Sequence, residues 1–467
     1  MRSTRESAWR LVATRSVTMG QERRTPQAGQ RTGCGIRPST APLVASNEPA
    51  TQAVISVTST ADFAKVHQPR GIRGIRGPGT FLGDILSQEE HVRSLIKVGI
   101  PVVAAVVVLS GCGTTGGSSG TAAGTKKCDQ KIGMFGALTG PNANLGIYIH
   151  NGVKLAGDEY NAKHSDCKVT IADFDSQGDP TQAPGLAKKA IDDKTIVGIV
   201  GPAFSGESKA ADPLFNEAGL VTITPSATNP KLADNGWKTF FRALGNDATQ
   251  GPAAAKYIKD TLKSTKTFVI DDASEYGKGL GDIVRTSLGA QVVGTDEIQQ
   301  KQTDFGPSVT KVKASGADTL FFGGYAPEAA PLVKQLRDAG WKGTFVTDDG
   351  VKDQSFVDNA KSSAEGTIIT CPCAPPDTAP DFAAAYKKAF NVDANTYSGE
   401  GFDSAQILLD GIAAGKDRAT MVDFVKAYDK KGVTKQLKFD AKGESAAVLV
   451  YAYKVENGKI VSLGEIK

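Results

Sequence analysis

Ile196-Val197-Gly198-Ile199-Val200-Gly201-Pro202-Ala203-Phe204-Ser205-Gly206-Glu207-Ser208 is the stretch from which the fold can be read. Its first five residues are apolar and mostly β-branched, and Gly201-Pro202 stops them, which is the pattern of a buried strand. Ser205 to Ser208 then opens a helical pattern that runs to Ala218. A second short run, Leu220 to Thr224, ends in Pro225-Ser226-Ala227-Thr228-Asn229-Pro230. Two consecutive strands thus each end in a loop of small, hydroxyl-bearing residues. In an open parallel sheet such loops lie at the carboxyl ends of the strands, where ligands bind. Ser205 would also stand at a helix N-terminus, whose free N–H groups and dipole favour an anion such as a carboxylate. Taken alone, Ser205 is ordinarily an N-cap and Thr228 a turn residue. Together on adjacent loops they point to a site.

The same alternation extends in both directions. Lys131–Ala137 reads as a strand, about Leu145–Asn161 as a helix, Lys168–Phe174 as a strand and Asp179–Asp192 as a helix. With the opening stretch this makes four βα units, the signature of a doubly wound α/β domain. After the short strand Phe240–Arg242 and the stretch Asp247-Ala248-Thr249-Gln250-Gly251-Pro252, the alternation restarts. Helices are expected at 249–262, 275–288, 305–315 and 327–339, and strands at 267–271, 291–298, 319–322 and 345–347. Thr367–Thr370 and Cys371-Pro372-Cys373 read as a crossover, followed by helices at 381–390, 401–414 and 421–427. Alternating segments at 437–439, 446–455 and 460–465 close the chain, with Asn457-Gly458 a hairpin signal. The expected fold is α/β: two doubly wound lobes joined by several crossings, which imply a cleft and a hinge. Lobe 1 would take residues 126–246 and 375–436, and lobe 2 residues 247–374 and 437–467.

Charge is unevenly spread. Residues 1–111 carry 14 Lys+Arg against 7 Asp+Glu, and residues 112–467 carry 40 against 43. The folded part is therefore mildly acidic and offers no basic patch for nucleic acid. Residues 1–91 lack sustained periodicity and read as disordered or absent from the mature product. Arg93 and Lys97 then precede the apolar run Val98–Leu109 and Leu109-Ser110-Gly111-Cys112. That run is short for a membrane span and has the length of a signal-peptide core, so 92–111 is expected to be an export signal. The four residues resemble a bacterial lipobox, with Cys112 the lipidated, palmitate-bearing residue. A Gly/Ser/Thr-rich tether, 112–125, follows. Translation starting near Val92 from an alternative start codon would leave residues 1–91 outside the protein.

Of six cysteines, Cys34 falls in the leader and Cys112 in the lipobox. Cys128, Cys167, Cys371 and Cys373 remain in an exported, disulfide-permissive domain, and four cysteines allow three pairings. Cys128 and Cys167 each precede a strand of the first βα unit, which favours Cys128–Cys167 and leaves Cys371–Cys373. A metal or redox site at Cys371-Pro372-Cys373 is the alternative, with no His nearby to support it. No nucleophile elbow, phosphate loop or dinucleotide fingerprint occurs. His150 and His164 sit on or just after the first helix, away from the hydroxyl loops. The expectation is a non-catalytic protein without cofactor or metal.

Five segments, in order, resemble the type I periplasmic binding proteins, and within them the leucine/isoleucine/valine-binding proteins of ABC transporters. They are Gly136–Pro141, Thr224–Pro230, Gly251–Ile258, Ser274–Gly279 and Phe322–Glu328, and the resemblance covers Lys131–Ile466. It implies an extracytoplasmic solute receptor, monomeric and membrane-held through its lipid, that passes an amino acid to a permease. Position by position, it implies that Ser205 and Thr228 hold the ligand carboxylate with backbone groups of Ser226 and Ala227. It brings Tyr276, Tyr325 and Asp349 from the second lobe, Asp349 pairing with the ligand ammonium. Without it, the tyrosines read as core residues and Asp349 as a turn residue. Leu145 stands where the family carries Trp, Phe402 where it carries Tyr, and Asp349 is one methylene shorter than the expected Glu. A branched-chain or other small aliphatic amino acid is the expected ligand. An amide or urea-like solute, or a sensory module of the same fold, is the alternative.

Overall fold

The computed structural model describes residues 129–467. The leader, the lipobox with Cys112, the tether and Cys128 lie outside them. The first lobe is built from β1 (Lys131–Gly136), α1 (Ala143–Lys163), β2 (Thr170–Asp175), α2 (Ala183–Asp192), β3 (Ile196–Val200), α3 (Ser205–Glu217), β4 (Thr222–Thr224) and β5 (Phe240–Arg242). Their five strands form one parallel sheet in the order β2-β1-β3-β4-β5. β3 is buried along its whole length. Ile196 and Ile199 pack with Ala187, Ala211 and Phe215 of α2 and α3, while Val197 and Val200 face the other core. A strand covered on both faces has no polar face to keep, which is why its sequence is an unbroken apolar run.

The second lobe takes α4 (Asp247–Lys256), β6 (Thr267–Asp271), α5 (Glu275–Leu288), β7 (Val292–Glu297), α6 (Gly306–Ser315), β8 (Thr319–Gly323), α7 (Ala326–Asp338), β9 (Thr344–Thr347), α8 (Gln354–Ala360) and β10 (Ile368–Cys371). The chain then returns to the first lobe with α9 (Pro380–Phe390), α10 (Ser398–Ala413) and α11 (Arg418–Lys426), of which α10 packs along α1 and against β3. A two-stranded ribbon, β11 (Asp429–Lys431) and β12 (Gln436–Lys438), precedes the last crossing. β13 (Tyr451–Glu456) and β14 (Lys459–Glu465) finish the second sheet, ordered β14-β13-β10-β9-β8-β6-β7. β13 pairs antiparallel with both β10 and β14, and the remaining pairs are parallel.

Polar caps start the helices that matter to the cleft. Asn246 accepts from Ala248 N–H (3.0 Å) ahead of α4, Ser274 from Gly277 N–H (2.9 Å) ahead of α5, and Asp353 from Ser355 N–H (2.7 Å) ahead of α8. One expectation is corrected. Residues 368–371 are not crossover: they form β10, an inner strand bonded on one side to β9 and on the other to β13. The crossing begins after Cys373. Cys371 and Cys373 are joined by a disulfide, with S–S 1.99 Å and Cα–Cα 5.1 Å. Cys167 is also disulfide-bonded.

Candidate ligand site between the lobes

The wall contributed by the first lobe is two loops stitched together. β3 gives way to Gly201, with φ +116°, where a Cβ would stand 2.3 Å from Phe135 O. The chain then turns through Ala203 and Phe204 into α3 at Ser205. Thr224, at the end of β4, donates its hydroxyl to Pro202 O (2.7 Å) and accepts Ala227 N–H (2.9 Å). Ser226 donates to Ala203 O (2.6 Å), so its hydroxyl proton is spent on tying loop to loop. Ser205 Oγ instead accepts Asn229 N–H (3.2 Å). Its own proton is left for an acceptor in the cleft. The Thr228 hydroxyl, fully buried, lies near enough to the Asp247 carboxyl to lower its pKa, yet completes no hydrogen bond of ordinary geometry. Two hydroxyl-bearing residues on adjacent loops and the first turn of α3 thus lie on one wall, the elements an anion site uses.

The facing wall is acidic. β9 runs out at Thr347 into Asp348 and Asp349, both buried. Asp349 Oδ1 accepts from Tyr276 Oη (2.7 Å) and Gln250 Nε2 (2.6 Å), and Oδ2 accepts from Tyr397 Oη (2.7 Å). Burial raises its pKa, and these three donors pull against the rise. Burial and the charge of Asp349 hold Asp348 well above the carboxylate range, although Gly324 N–H donates to its Oδ2 (2.9 Å). Burial and Asp349 likewise push Asp247 up to about 8. Gly350 lets this wall close up, since a Cβ there would stand 2.3 Å from Gly324 O and 3.0 Å from the rings of Tyr276 and Tyr325.

The lobes touch across the cleft. Tyr325 packs at a tilt between Tyr276 (5.3 Å between ring centres) and Phe204 of the first lobe (5.5 Å). Asn229 Nδ2 donates to Glu275 O (2.7 Å), Lys209 pairs with Glu275 (2.7 Å), and Asn144 donates to Asp353 (3.1 Å). Thr396, just before α10, donates to Lys352 O (2.5 Å) and takes a bond from Lys352 Nζ (3.2 Å). Burial lowers the pKa of that lysine to about 8. Tyr397 belongs to the first lobe too, so its bond to Asp349 also crosses.

Ser205, Ser226, Ala227 and Thr228 therefore share one wall, and Tyr276, Tyr325 and Asp349 share the other. Leu145 is half-buried on α1 beside Asn144, at the edge of the lobe contact. Phe402 is placed differently: its ring packs edge-on against Phe382 of α9 (5.3 Å). The aromatic residue of this segment that reaches the acid is Tyr397. It was not foreseen, and neither were Gln250 or Lys352. Tyr397 adopts φ +63°, and no local pattern marks a non-glycine residue for that conformation. His150, on α1, bonds Asp173 (3.1 Å), and His164, just past its end, bonds Tyr160 O (2.9 Å).

Comparison with known proteins agrees with this architecture. The model of the periplasmic binding protein family matches residues 129–459. An amino acid binding protein of Pseudomonas aeruginosa is 33% identical over 328 residues, 68% of this chain and 87% of its own length. The Leu/Ile/Val-binding protein of Escherichia coli is 32% identical over 324 residues, 68% of this chain and 88% of its own. A branched-chain amino acid transporter substrate binding protein from Streptococcus pneumoniae, solved in complex with isoleucine, superposes with a TM-score of 0.68 at 27% identity. That alignment covers 72% of this chain and 100% of the other. A leucine binding protein from Thermotoga maritima shares the fold with a TM-score of 0.67 at 24% identity, over 72% of this chain and 99% of its own. Two wound lobes meeting across facing loops, with the family's pattern running through both, make this chain a member of the type I periplasmic binding proteins.

Proposed function

We propose that the chain captures one small amino acid between its lobes, branched-chain or otherwise aliphatic, and hands it to the permease of an ABC transporter. One observation carries the reading. Hydroxyl-bearing loops with Ser205 and Thr228 belong to one lobe and a buried carboxyl group at Asp349 to the other, and that pairing supports a zwitterion between them. The hydrogen-bond donors to Asp349 are all neutral, and the ammonium of nearby Lys352 bonds Thr396 instead, so a ligand ammonium would be its direct positive partner. The ligand would touch both walls at once and so favour the closed form over the open one. The permease would read that closure. The role is that of a receptor and not a catalyst.

The family is extracytoplasmic, and among the described residues no helix is long and apolar enough to cross a membrane. Lipidation of Cys112 would hold the domain to the outer face of the membrane, with the following tether giving it reach. A monomer suffices, because both walls come from one chain.

A second reading has its own observation. Burial raises the pKa of Asp349, and a carboxyl group held protonated would suit a neutral amide or urea-like solute. Isothermal titration of the lipid-free domain with leucine, isoleucine, valine, leucinamide, acetamide and urea separates the two. Heat with the free amino acids alone supports the zwitterion. Heat with amides alone transfers the function to them, and heat with none ends both readings.

A further inference from the structure

The loop that carries Ser226, Ala227 and Thr228 is held from behind by one buried cation. Arg242, the last residue of β5, is fully buried. Its Nη1 donates to Ala227 O, and its Nη2 to Asn229 O at 3.0 Å. The same guanidinium forks onto Glu444, through Nε to Oε2 (3.0 Å) and Nη2 to Oε1 (2.9 Å). Thr228 O, between the two captured carbonyls, accepts Asp247 N–H (2.9 Å).

Three successive carbonyls are thus held by donors of the protein. In a planar trans peptide the C=O and the following N–H point in opposite directions. Fixing the carbonyls of Ala227 and Thr228 therefore turns the N–H groups of Thr228 and Asn229 the other way. The Asn229 N–H meets Ser205 Oγ (3.2 Å), and the Thr228 N–H has no hydrogen-bond partner among the described residues. Without the cation, the same carbonyls would be the most negative atoms of the loop and free to turn toward the ligand's acid.

We propose that Arg242, clamped by Glu444, is a positioning residue for carboxylate recognition. It sets the donors of the loop without touching the ligand. The assignment deepens the zwitterion reading and rests on it. Lysine could not replace arginine here, because a single ammonium cannot span two carbonyls and also fork onto a carboxylate. Glu444 lies on the last crossing between the lobes, where Gly443 O also accepts Arg242 N–H (2.8 Å). The clamp therefore joins the ligand loop to the hinge.

The test uses Arg242→Lys and Glu444→Gln in the lipid-free domain, titrated with leucine and with leucinamide, alongside thermal unfolding without ligand. Leucinamide keeps the ammonium and side chain but lacks the carboxylate. The wild type should prefer leucine. In Arg242→Lys that preference should shrink roughly 10- to 100-fold, the loss falling on leucine. Glu444→Gln should move the ratio the same way by less. A merely structural role would lower the unfolding temperature and weaken both probes alike. An unchanged ratio in both variants overturns the assignment while leaving the zwitterion reading intact. Should Arg242→Lys fail to fold, Glu444→Gln decides alone, since it keeps the cation and alters only its clamp. A wild type that binds neither probe ends the zwitterion reading, and this assignment with it.

Discussion

Replacing Asp349 by asparagine should raise the stability of the empty protein while removing most of its affinity. The two effects have separate origins. Asparagine keeps one oxygen to accept from Tyr276 and Gln250, and its amide can donate to Tyr397 Oη, so the three bonds at 2.6 to 2.7 Å have successors. The wall keeps its shape. What disappears is a buried carboxyl group that raises the pKa of neighbouring Asp348. Removing it relieves like-charge repulsion in a dry site, so the ligand-free unfolding temperature should rise at pH 8. Binding moves the other way. Breaking a buried ion pair by deleting one partner costs about 3–5 kcal/mol, on the order of 10²- to 10³-fold in Kd. Isothermal titration at pH 7 with the preferred aliphatic amino acid reads the affinity, and differential scanning calorimetry reads the stability. A Kd within about threefold of wild type would remove Asp349 from ligand contact, because even one charge-assisted hydrogen bond is worth more than that. A fall in both quantities would mean that the side chain is structural.

Three further substitutions probe the same frame. Tyr397→Phe deletes one donor to Asp349 and one contact across the cleft, and should weaken binding roughly tenfold by titration, in line with a hydrogen bond to a charged group. Gly350→Ala forces a Cβ to within 2.3 Å of Gly324 O and should cost about 1–3 kcal/mol of stability in urea unfolding. Burial carries Glu207 and Asp212 up to about 8 from ordinary values of 4.5 and 3.8. A carboxyl raised by folding contributes stability below its unfolded pKa and loses that contribution as pH climbs through the folded one. The unfolding temperature of the empty protein should therefore fall between about pH 4 and pH 8, and Asp212→Asn should flatten that slope. A slope left unchanged by Asp212→Asn would show that Asp212 already ionises freely.

What could be read from the chain alone depended on whether local pattern and tertiary context agreed. β3 was legible because burial on both faces leaves an apolar run that nothing else explains. α5 was legible as a helix over 275–288, to which the structure adds Ser274 as its cap and the buried face of Tyr276, Leu280, Val284 and Leu288. β10 was not. Its four residues, Ile368-Ile369-Thr370-Cys371, are too few for a period, and the Cys-Pro-Cys that follows looks like a turn. Only pairing with β9 and β13 makes it a strand. The hydroxyl loops could be placed because strand ends in a wound sheet share one edge. Tyr397 could not, since its reach to Asp349 depends on a left-handed residue at the mouth of α10. Gln250 stood in a stretch noted for its glycine and proline, but the face it presents is set by how α4 lies on β10 and α5.

The contacts between the lobes also limit what a ligand can add. Asn229–Glu275, Lys209–Glu275, Asn144–Asp353 and Tyr397–Asp349 exist without it. Exposed pairs such as Lys209–Glu275 are each worth well under about 1 kcal/mol, so they bias closure without enforcing it. A ligand shifts the equilibrium only by what it gains in the closed form and lacks in the open one. In the proposed pose the acid end would meet hydrogens on the first lobe, and those contacts would survive opening. The amine end would meet Asp349 on the second lobe only after closure. Coupling between occupancy and closure must therefore reside mainly at Asp349, with Ser205 and Thr228 serving initial capture. On that division, loss of the Thr228 hydroxyl should slow or weaken the first encounter in the open form. Loss of the Asp349 charge should leave the encounter and abolish the closure that follows it.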